Sequence, residues 1–283
     1  MRVVATLTTR NNYHKGLKDN LDSLTKQFDE VYLGLPYKNL KGEEYKDFSH
    51  PNVTIVRLEE DIGPASKLLG GLIKEKRDLN TLIVSVDDDY IYRDDLRQIF
   101  ENKRLKDIEN NRDRVMTFSG VYMKYWNFGT FGINGGWHDK NYFFDWNENK
   151  EITTIAGYCG CSYPANIFND TQEYINFIKK YKNDKILFRN DDILISAYLS
   201  NLGIEKIRIN APNNSIGEYK KEENEERISP DKQEIYENIY KLQDYFIKNN
   251  PKKYTLVGLD IIILVSIIFL SILLYFLFKF KNV

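Results

Sequence analysis

Leu82-Ile83-Val84-Ser85-Val86-Asp87-Asp88-Asp89-Tyr90-Ile91-Tyr92 sets a buried-looking apolar run directly against three consecutive carboxylates. The run over 82–86 is rich in β-branched residues and reads as a buried strand. Three adjacent carboxylates repel one another at short range, so the turn that carries them needs compensation. At the carboxyl end of an α/β strand they stand where such sheets bind ligands. A hard divalent cation would relieve the repulsion and would in turn hold phosphate oxygens. The structural alternative is a solvated acidic turn that caps a helix starting near Arg93.

Upstream, strands alternate with helical patterns. Residues 3–8, 31–35 and 53–56 read as strands, the second ended by Pro36, and Leu17, Leu21 and Leu24 recur at helical spacing. A helix is expected over 65–76, just before the acidic strand. This alternation argues for an α/β, Rossmann-like, mostly parallel sheet flanked by helices. The helix is preceded by Asp61-Ile62-Gly63-Pro64-Ala65-Ser66-Lys67. There Gly-Pro lets backbone amides approach a ligand and Lys67 can reach an anion; taken by itself, the segment is explained better by a plain loop with a helix cap.

Downstream, 118–146 is rich in Gly, Tyr, Phe and Trp with little periodicity, as expected of loops and short strands around a pocket. Aromatic faces stack on sugar rings or fill cores, so Trp126, Trp137 and Trp146 are candidate acceptor-binding residues. A strand is expected over 152–156, helices over 171–181 and 192–202, and a strand over 204–209. The second of these helices opens on Asp191-Asp192. The pair either caps the helix or supplies a general base that faces the first acidic cluster. Residues 213–254 read as a polar, mixed-charge linker followed by an amphipathic helix.

Lys plus Arg number 40 against 41 Asp plus Glu, a formal charge of −1, which excludes a basic nucleic-acid footprint. Two cysteines are too few for a disulfide scaffold or a multi-cysteine zinc module, and three scattered histidines argue against a His-built metal site. Cys159 and Cys161, one residue apart, are expected as buried thiols in a reducing compartment. Residues 255–278 are almost purely apolar and long enough for a transmembrane helix. With no signal peptide at the start, the expectation is a tail-anchored, single-pass membrane protein. Its catalytic domain would face the cytosol, ahead of a short tail over 279–283.

Four motifs occur in order: Thr6-x-Thr8-x-Arg10, Asp61-x-Gly63-Pro64-x-x-Lys67, Val86-Asp87-Asp88-Asp89-x-x-Tyr92, and Asp191-Asp192-x-x-x-Ser196-x-x-Leu199. Together they resemble nucleotide-sugar-dependent glycosyltransferases of the GT-A fold, near the large family-2-like group. The resemblance covers roughly residues 1–212, the expected catalytic domain. It implies that Thr8 and Arg10 line the nucleotide site and that Asp61 and Lys67 lie near the base or diphosphate. It places Asp87, with Asp88 beside it, against the ribose or the metal, and gives Asp89 to Mn²⁺ or Mg²⁺ bridging the diphosphate. Asp192 matches the base that deprotonates an acceptor hydroxyl, with inversion at the anomeric carbon. Two departures stand out: the acidic pair is Asp191-Asp192 rather than Glu-Asp, and no histidine follows it.

The expected function is thus metal-dependent, hexosyltransferase-like transfer from a nucleoside-diphosphate sugar to a hydroxyl of a glycan, protein or lipid. A sugar-nucleotidyltransferase of related fold is the nearer alternative, although 6–10 lacks the glycine-rich turn usual there. A non-enzymatic membrane or structural protein is the more distant one, opposed by the cost of burying carboxylates without a task.

Overall fold

The computed structural model describes residues 1–10, 13, 16–128, 133–138, 150–210, 217–219, 237–239, 241–248 and 265–272. Side chains of 123–128, 133–138 and 217–219 are outside that description. The first half alternates as its pattern predicts. β1 (Arg2–Thr8) leads to α1 (Leu17–Thr25), β2 (Glu30–Pro36) and β3 (Thr54–Leu58). A 3-10 turn (Gly63–Leu68) then runs into α2 (Leu69–Glu75) and β4 (Thr81–Ser85). After the acidic turn come β5 (Tyr90–Tyr92), α3 (Leu96–Glu109), β6 (Arg114–Thr117), β7 (Gly120–Val121), β8 (Met123–Phe128) and β9 (Ile133–His138). The remainder comprises β10 (Lys150–Glu151), β11 (Thr154–Ile155), β12 (Cys161–Pro164), α4 (Thr171–Lys179), α5 (Lys185–Phe188), α6 (Asp191–Asn201), β13 (Glu205–Arg208), β14 (Gly217–Tyr219) and α7 (Gln243–Lys248).

The main sheet has the order β10-β13-β6-β12-β4-β1-β2-β3. From β3 to β4 it is parallel. Beyond β4 it is mixed, because β12 runs antiparallel to both β4 and β6 while β13 is parallel to β6. The expectation of a mostly parallel sheet therefore holds for one half only. Short antiparallel strands of the later sequence carry no periodicity that fixes their direction. The result is a mixed α/β sheet with flanking helices.

Alternation along β1 assigns its side chains to two cores. Val3, Ala5 and Leu7 pack with α1 and α3, whereas Val4 packs with the 3-10 turn, α2, α4 and α6 on the opposite face. Thr6 shares the face of Val4 and is a buried polar residue there. Its hydroxyl donates to the Lys67 carbonyl at 2.7 Å and accepts from the Gly71 amide at 3.1 Å. Close approach of α2 to the sheet requires Gly71, since a Cβ there would stand 2.7 Å from Ile83 Cγ2. The expected helix 65–76 is thus split into a tight turn and a short α-helix, pinned where the sheet's apolar face is interrupted by a hydroxyl.

Chain order changes direction between β1 and β4: β2 and β3 extend the sheet to one side of β1, while β4 lies on the other. In open α/β sheets such a switch point opens a crevice at the carboxyl ends of the strands. Thr8–Arg10 and Asp87–Asp89 leave the sheet at that edge.

One expectation about the C-terminal part, the membrane span, is corrected. The linker and amphipathic-helix segment 213–254 is integrated with the domain wherever it is described. β14 pairs antiparallel with β5, Tyr219 opposite Tyr90. Ile239, Leu242 and Phe246 are buried in the main core, and Tyr245 meets Phe177 edge-on at 5.2 Å. The transmembrane helix over 255–278, with the single-pass anchor and cytosolic placement built on it, is overturned. Among the described residues no helix is long and apolar enough to cross a membrane. Only 265–272 of that segment is described, as helix. The rest of the segment, and the tail 279–283, lie outside the described residues.

Replacing Thr6 by Val keeps the shape but leaves the buried Lys67 carbonyl and Gly71 amide without their partner. Thr6→Val is expected to lower unfolding free energy by about 1–3 kcal/mol, read by urea denaturation followed by circular dichroism. An unchanged midpoint would remove the hydroxyl from the set of contacts that fix the 3-10 turn.

Candidate active site

The acidic turn is held from three sides. Val86 N–H donates to the Thr6 carbonyl at 3.1 Å, extending β4 alongside β1. From α1, the Asn20 amide nitrogen donates to the carbonyls of Asp87 (3.0 Å) and Tyr90 (2.5 Å). The Tyr92 hydroxyl accepts from the Asp87 amide at 2.8 Å and donates to the Tyr158 carbonyl at 3.0 Å. The Asp triplet does not cap the next helix, which begins only at Leu96, beyond β5.

Asp191 and Asp192 open α6, where the helix dipole favours negative charge. Neither is the N-cap, which is Asn190. The Ser196 hydroxyl donates to the Asp192 carbonyl at 2.6 Å and accepts from the Ile155 amide at 2.9 Å, fastening the first turn of α6 to β11. The Asp192 carboxylate accepts from the Gly157 amide through Oδ2 at 2.9 Å. A Cβ at Gly157 would stand 2.5 Å from Asp192 Oδ1 and 2.6 Å from Lys67 Nζ, so only glycine fits between them.

Lys67 joins the two acidic segments. Its Nζ lies 2.8 Å from Asp87 Oδ1, 2.6 Å from Asp191 Oδ2 and 3.7 Å from Asp192 Oδ1. The Lys67 side chain is 6% exposed, against 31% for Asp87, 14% for Asp191 and 28% for Asp192. Burial opposes the ammonium charge, but Asp191, Asp87 and Asp192 outweigh it and hold Lys67 protonated. Burial pushes the Asp87 carboxyl up, with Lys67 acting against it. For Asp192, burial is the largest effect; Lys67 opposes it, Asp191 and Asp87 add to it, and the carboxyl is pushed up to about 7. A carboxylate tuned to that range can take and release a proton near neutrality.

The remaining expected residues divide between this cluster and a second locus. Asp61 caps its own turn, accepting from the Gly63 amide at 2.8 Å, and burial raises its carboxyl. Asp61 and Asp88 both act on Tyr45, whose hydroxyl is pushed up to about 12 by burial and then by Asp61, Tyr13 and Asp88. Tyr45 donates to the Thr9 carbonyl at 3.4 Å, and Tyr13 packs on Phe48 with ring centroids 4.9 Å apart. Arg10 is exposed beside this aromatic group, its carbonyl accepting from the Tyr13 amide at 3.2 Å. Thr8 turns its hydroxyl back into the sheet, donating to the Gly34 carbonyl at 2.8 Å. Lys67, expected beside Asp61 near a base or diphosphate, is instead enclosed by carboxylates.

Trp126 and Trp137 lie on an antiparallel hairpin, opposite Gly135 and Lys124 respectively. Their side chains, and Trp146 altogether, fall outside the described residues. Cys159 and Cys161 are free and buried, as expected, and burial raises both thiols. Asn20 and Tyr92 were not expected as site residues. Asn20 had a signal: it stands three after Leu17 and four before Leu24, a polar residue on the apolar stripe of α1. Tyr92 closes the third motif, but the sequence could not show its partner, the Tyr158 carbonyl 66 positions away.

Among the described residues, no group of three or more His, Cys, Asp or Glu side chains is arranged to hold a metal ion by itself. Asp87, Asp191 and Asp192 do converge, but on an ammonium. Asp87 and Asp89 share one tight turn, and two carboxylates are an incomplete donor set that a hard cation would complete with phosphate oxygens and water. They do not form a closed protein cage.

No family model matches this chain, and no curated protein matches it. Among solved structures it is similar to the crystal structure of S. aureus TarS 1–349 in complex with UDP-GlcNAc. The TM-score is 0.47 and the identity 14%, covering 88% of this chain and 68% of that one. A second structure of TarS 1–349 gives a TM-score of 0.42 at 14% identity, covering 88% and 66%. The Francisella tularensis 2-C-methyl-D-erythritol 4-phosphate cytidylyltransferase gives 0.38 at 8% identity, covering 84% and 97%. The chain thus spans about two thirds of the TarS fragment. At these values the likenesses say nothing of what this chain binds or converts.

Gly157→Ala tests the close approach. The added methyl must push Asp192 or Lys67 aside, an overpacking cost of about 1–3 kcal/mol in stability. The expected outcome is a lower melting temperature and a displaced Asp192 in a crystal structure. Unchanged stability and an unmoved carboxylate would show that the turn has slack.

Proposed function

We propose that the chain is a glycosyltransferase that moves a sugar from a nucleoside diphosphate to a hydroxyl acceptor, with Asp192 as the general base. The observation that carries this reading is the pairing of an acidic turn at the sheet's switch point with a separate carboxylate tuned to about 7. The nucleoside end of the donor would lie toward Tyr45, Asp61, Asp88 and Arg10, where aromatic and hydrogen-bonding groups collect. The diphosphate would lie at the acidic turn, with Asp89 and Asp87 holding Mn²⁺ or Mg²⁺. That ion, when bound, neutralises charge on the departing diphosphate. Five carboxylates at 87–89 and 191–192 against one buried ammonium would otherwise repel a diphosphate.

The chemistry asked of the protein's own residues is then small. Asp192 takes the proton from the acceptor hydroxyl as its oxygen bonds to the anomeric carbon. The bond from that carbon to the diphosphate oxygen breaks, and the electron pair leaves with the nucleoside diphosphate. Attack from the side opposite the leaving group inverts the centre. Trp126, Trp137 and Trp146 are proposed acceptor contacts on chemical grounds alone.

Asp192 must be ionised to accept a proton, so the rate rises with pH through about 7 and levels above it. Asp192→Asn is expected to cut kcat by a factor on the order of 10² or more, abolish that rise, and leave donor affinity near wild type. Full activity in the Asn variant, tested across a panel of nucleotide sugars, would remove Asp192 from the base role.

Ion dependence is checked separately from turnover. Calorimetric titration with nucleoside diphosphates should show affinity reduced by roughly tenfold or more in EDTA and restored by Mn²⁺. Equal affinity in both conditions would take the ion out of donor binding.

A further inference from the structure

We infer that Lys67 is the positioning residue of the Asp192 base, an internal cation that ties the acidic turn to the start of α6 and does not itself bind donor phosphate. This rests on the glycosyl-transfer reading above and adds to it the group that orients the base.

An ammonium has three N–H donors and no more. Three carboxylates stand around Nζ, at 2.6, 2.8 and 3.7 Å, and the side chain is almost wholly enclosed. The ammonium is hydrogen-bonded to Asp87 and ion-paired to Asp191 and Asp192, and their surrounding negative charge would repel a phosphate. The Lys67 backbone is equally committed, since its carbonyl accepts from the Thr6 hydroxyl in the sheet. The ammonium is therefore fixed relative to β1, and the carboxylates are fixed relative to it.

The two oxygens of Asp192 are held differently. Oδ2 takes the Gly157 amide, while Oδ1 faces the ammonium at the longest of the three distances. The Gly157 hydrogen bond holds Oδ2, and charge attraction to the ammonium favours the orientation that turns Oδ1 toward it. Holding a base in place in this way avoids a reorganisation at the moment of proton transfer. Because Asp87 shares the ammonium, a shift of the acidic turn is passed to Asp192 through one atom.

The test uses the full chain. Lys67→Met keeps the stem and removes the charge. Its kcat is expected to fall by roughly 10²-fold while donor KM stays within about threefold of wild type. A raised donor KM with kcat retained would make Lys67 a donor ligand and overturn the inference. Three carboxylates without their cation can prevent folding, so Lys67→Ala is measured alongside, with propylammonium and the uncharged 1-butanol added. Propylammonium is expected to raise both melting temperature and kcat of Lys67→Ala by supplying the missing cation, and the alcohol to raise neither. Equal effects of amine and alcohol, or of neither, would reduce Lys67 to a packing role and overturn the inference. A wild-type chain that transfers no sugar from any donor overturns the underlying reading, and is told apart because wild-type turnover is scored before any variant.

Discussion

A single buried ammonium, Lys67 Nζ, is the contact on which the arrangement of this site depends. Asp87, Asp191 and Asp192 come from two segments about a hundred residues apart, and their charges repel. Removing one partner from such a group leaves uncompensated buried charge, far more costly than loss of an exposed ion pair. The ammonium turns a mutual repulsion into a cross-link. It also sets the electrostatic tone of the crevice: burial raises Asp192 toward neutrality, with Asp191 and Asp87 adding to the rise and the ammonium opposing it.

The sheet explains how that ammonium reaches its place. Lys67 sits on a 3-10 turn that begins at Gly63, which has positive φ, and the turn is bound to β1 through Thr6. Apolar packing alone would let the turn slide along a smooth face. One hydroxyl at the face of Val4 and one missing side chain at Gly71 fix both its height and its distance. Opposite it, Ser196 fixes α6 to β11, and Gly157 leaves room for the carboxylate and the ammonium to meet. Small polar residues and glycines, rather than large apolar ones, set the precision here.

Charge distribution across the crevice separates two tasks. Around Lys67 the groups are enclosed and mutually committed, which suits orientation and proton transfer. Around Tyr45 they are aromatic, half-buried and close to the exposed Arg10, which suits recognition of a flat, polar ligand end. Asp88 faces the second locus and Asp87 the first, so one tight turn divides its carboxylates between them.

Read as sequence, the chain disclosed the early strands, the helices facing them, and the two acidic segments, because periodic burial and local charge repulsion leave marks within a few residues. It also singled out Asp61 and Lys67, but not that Lys67 lies among the carboxylates of both acidic segments. The direction of β12 and the core placement of Ile239, Leu242 and Phe246 were decided otherwise. Asn20 became a site residue only when the distant carbonyls of Asp87 and Tyr90 were brought to it. Which carboxylates share an ammonium is a matter of distances between segments, and the sequence by itself sets only distances along the chain.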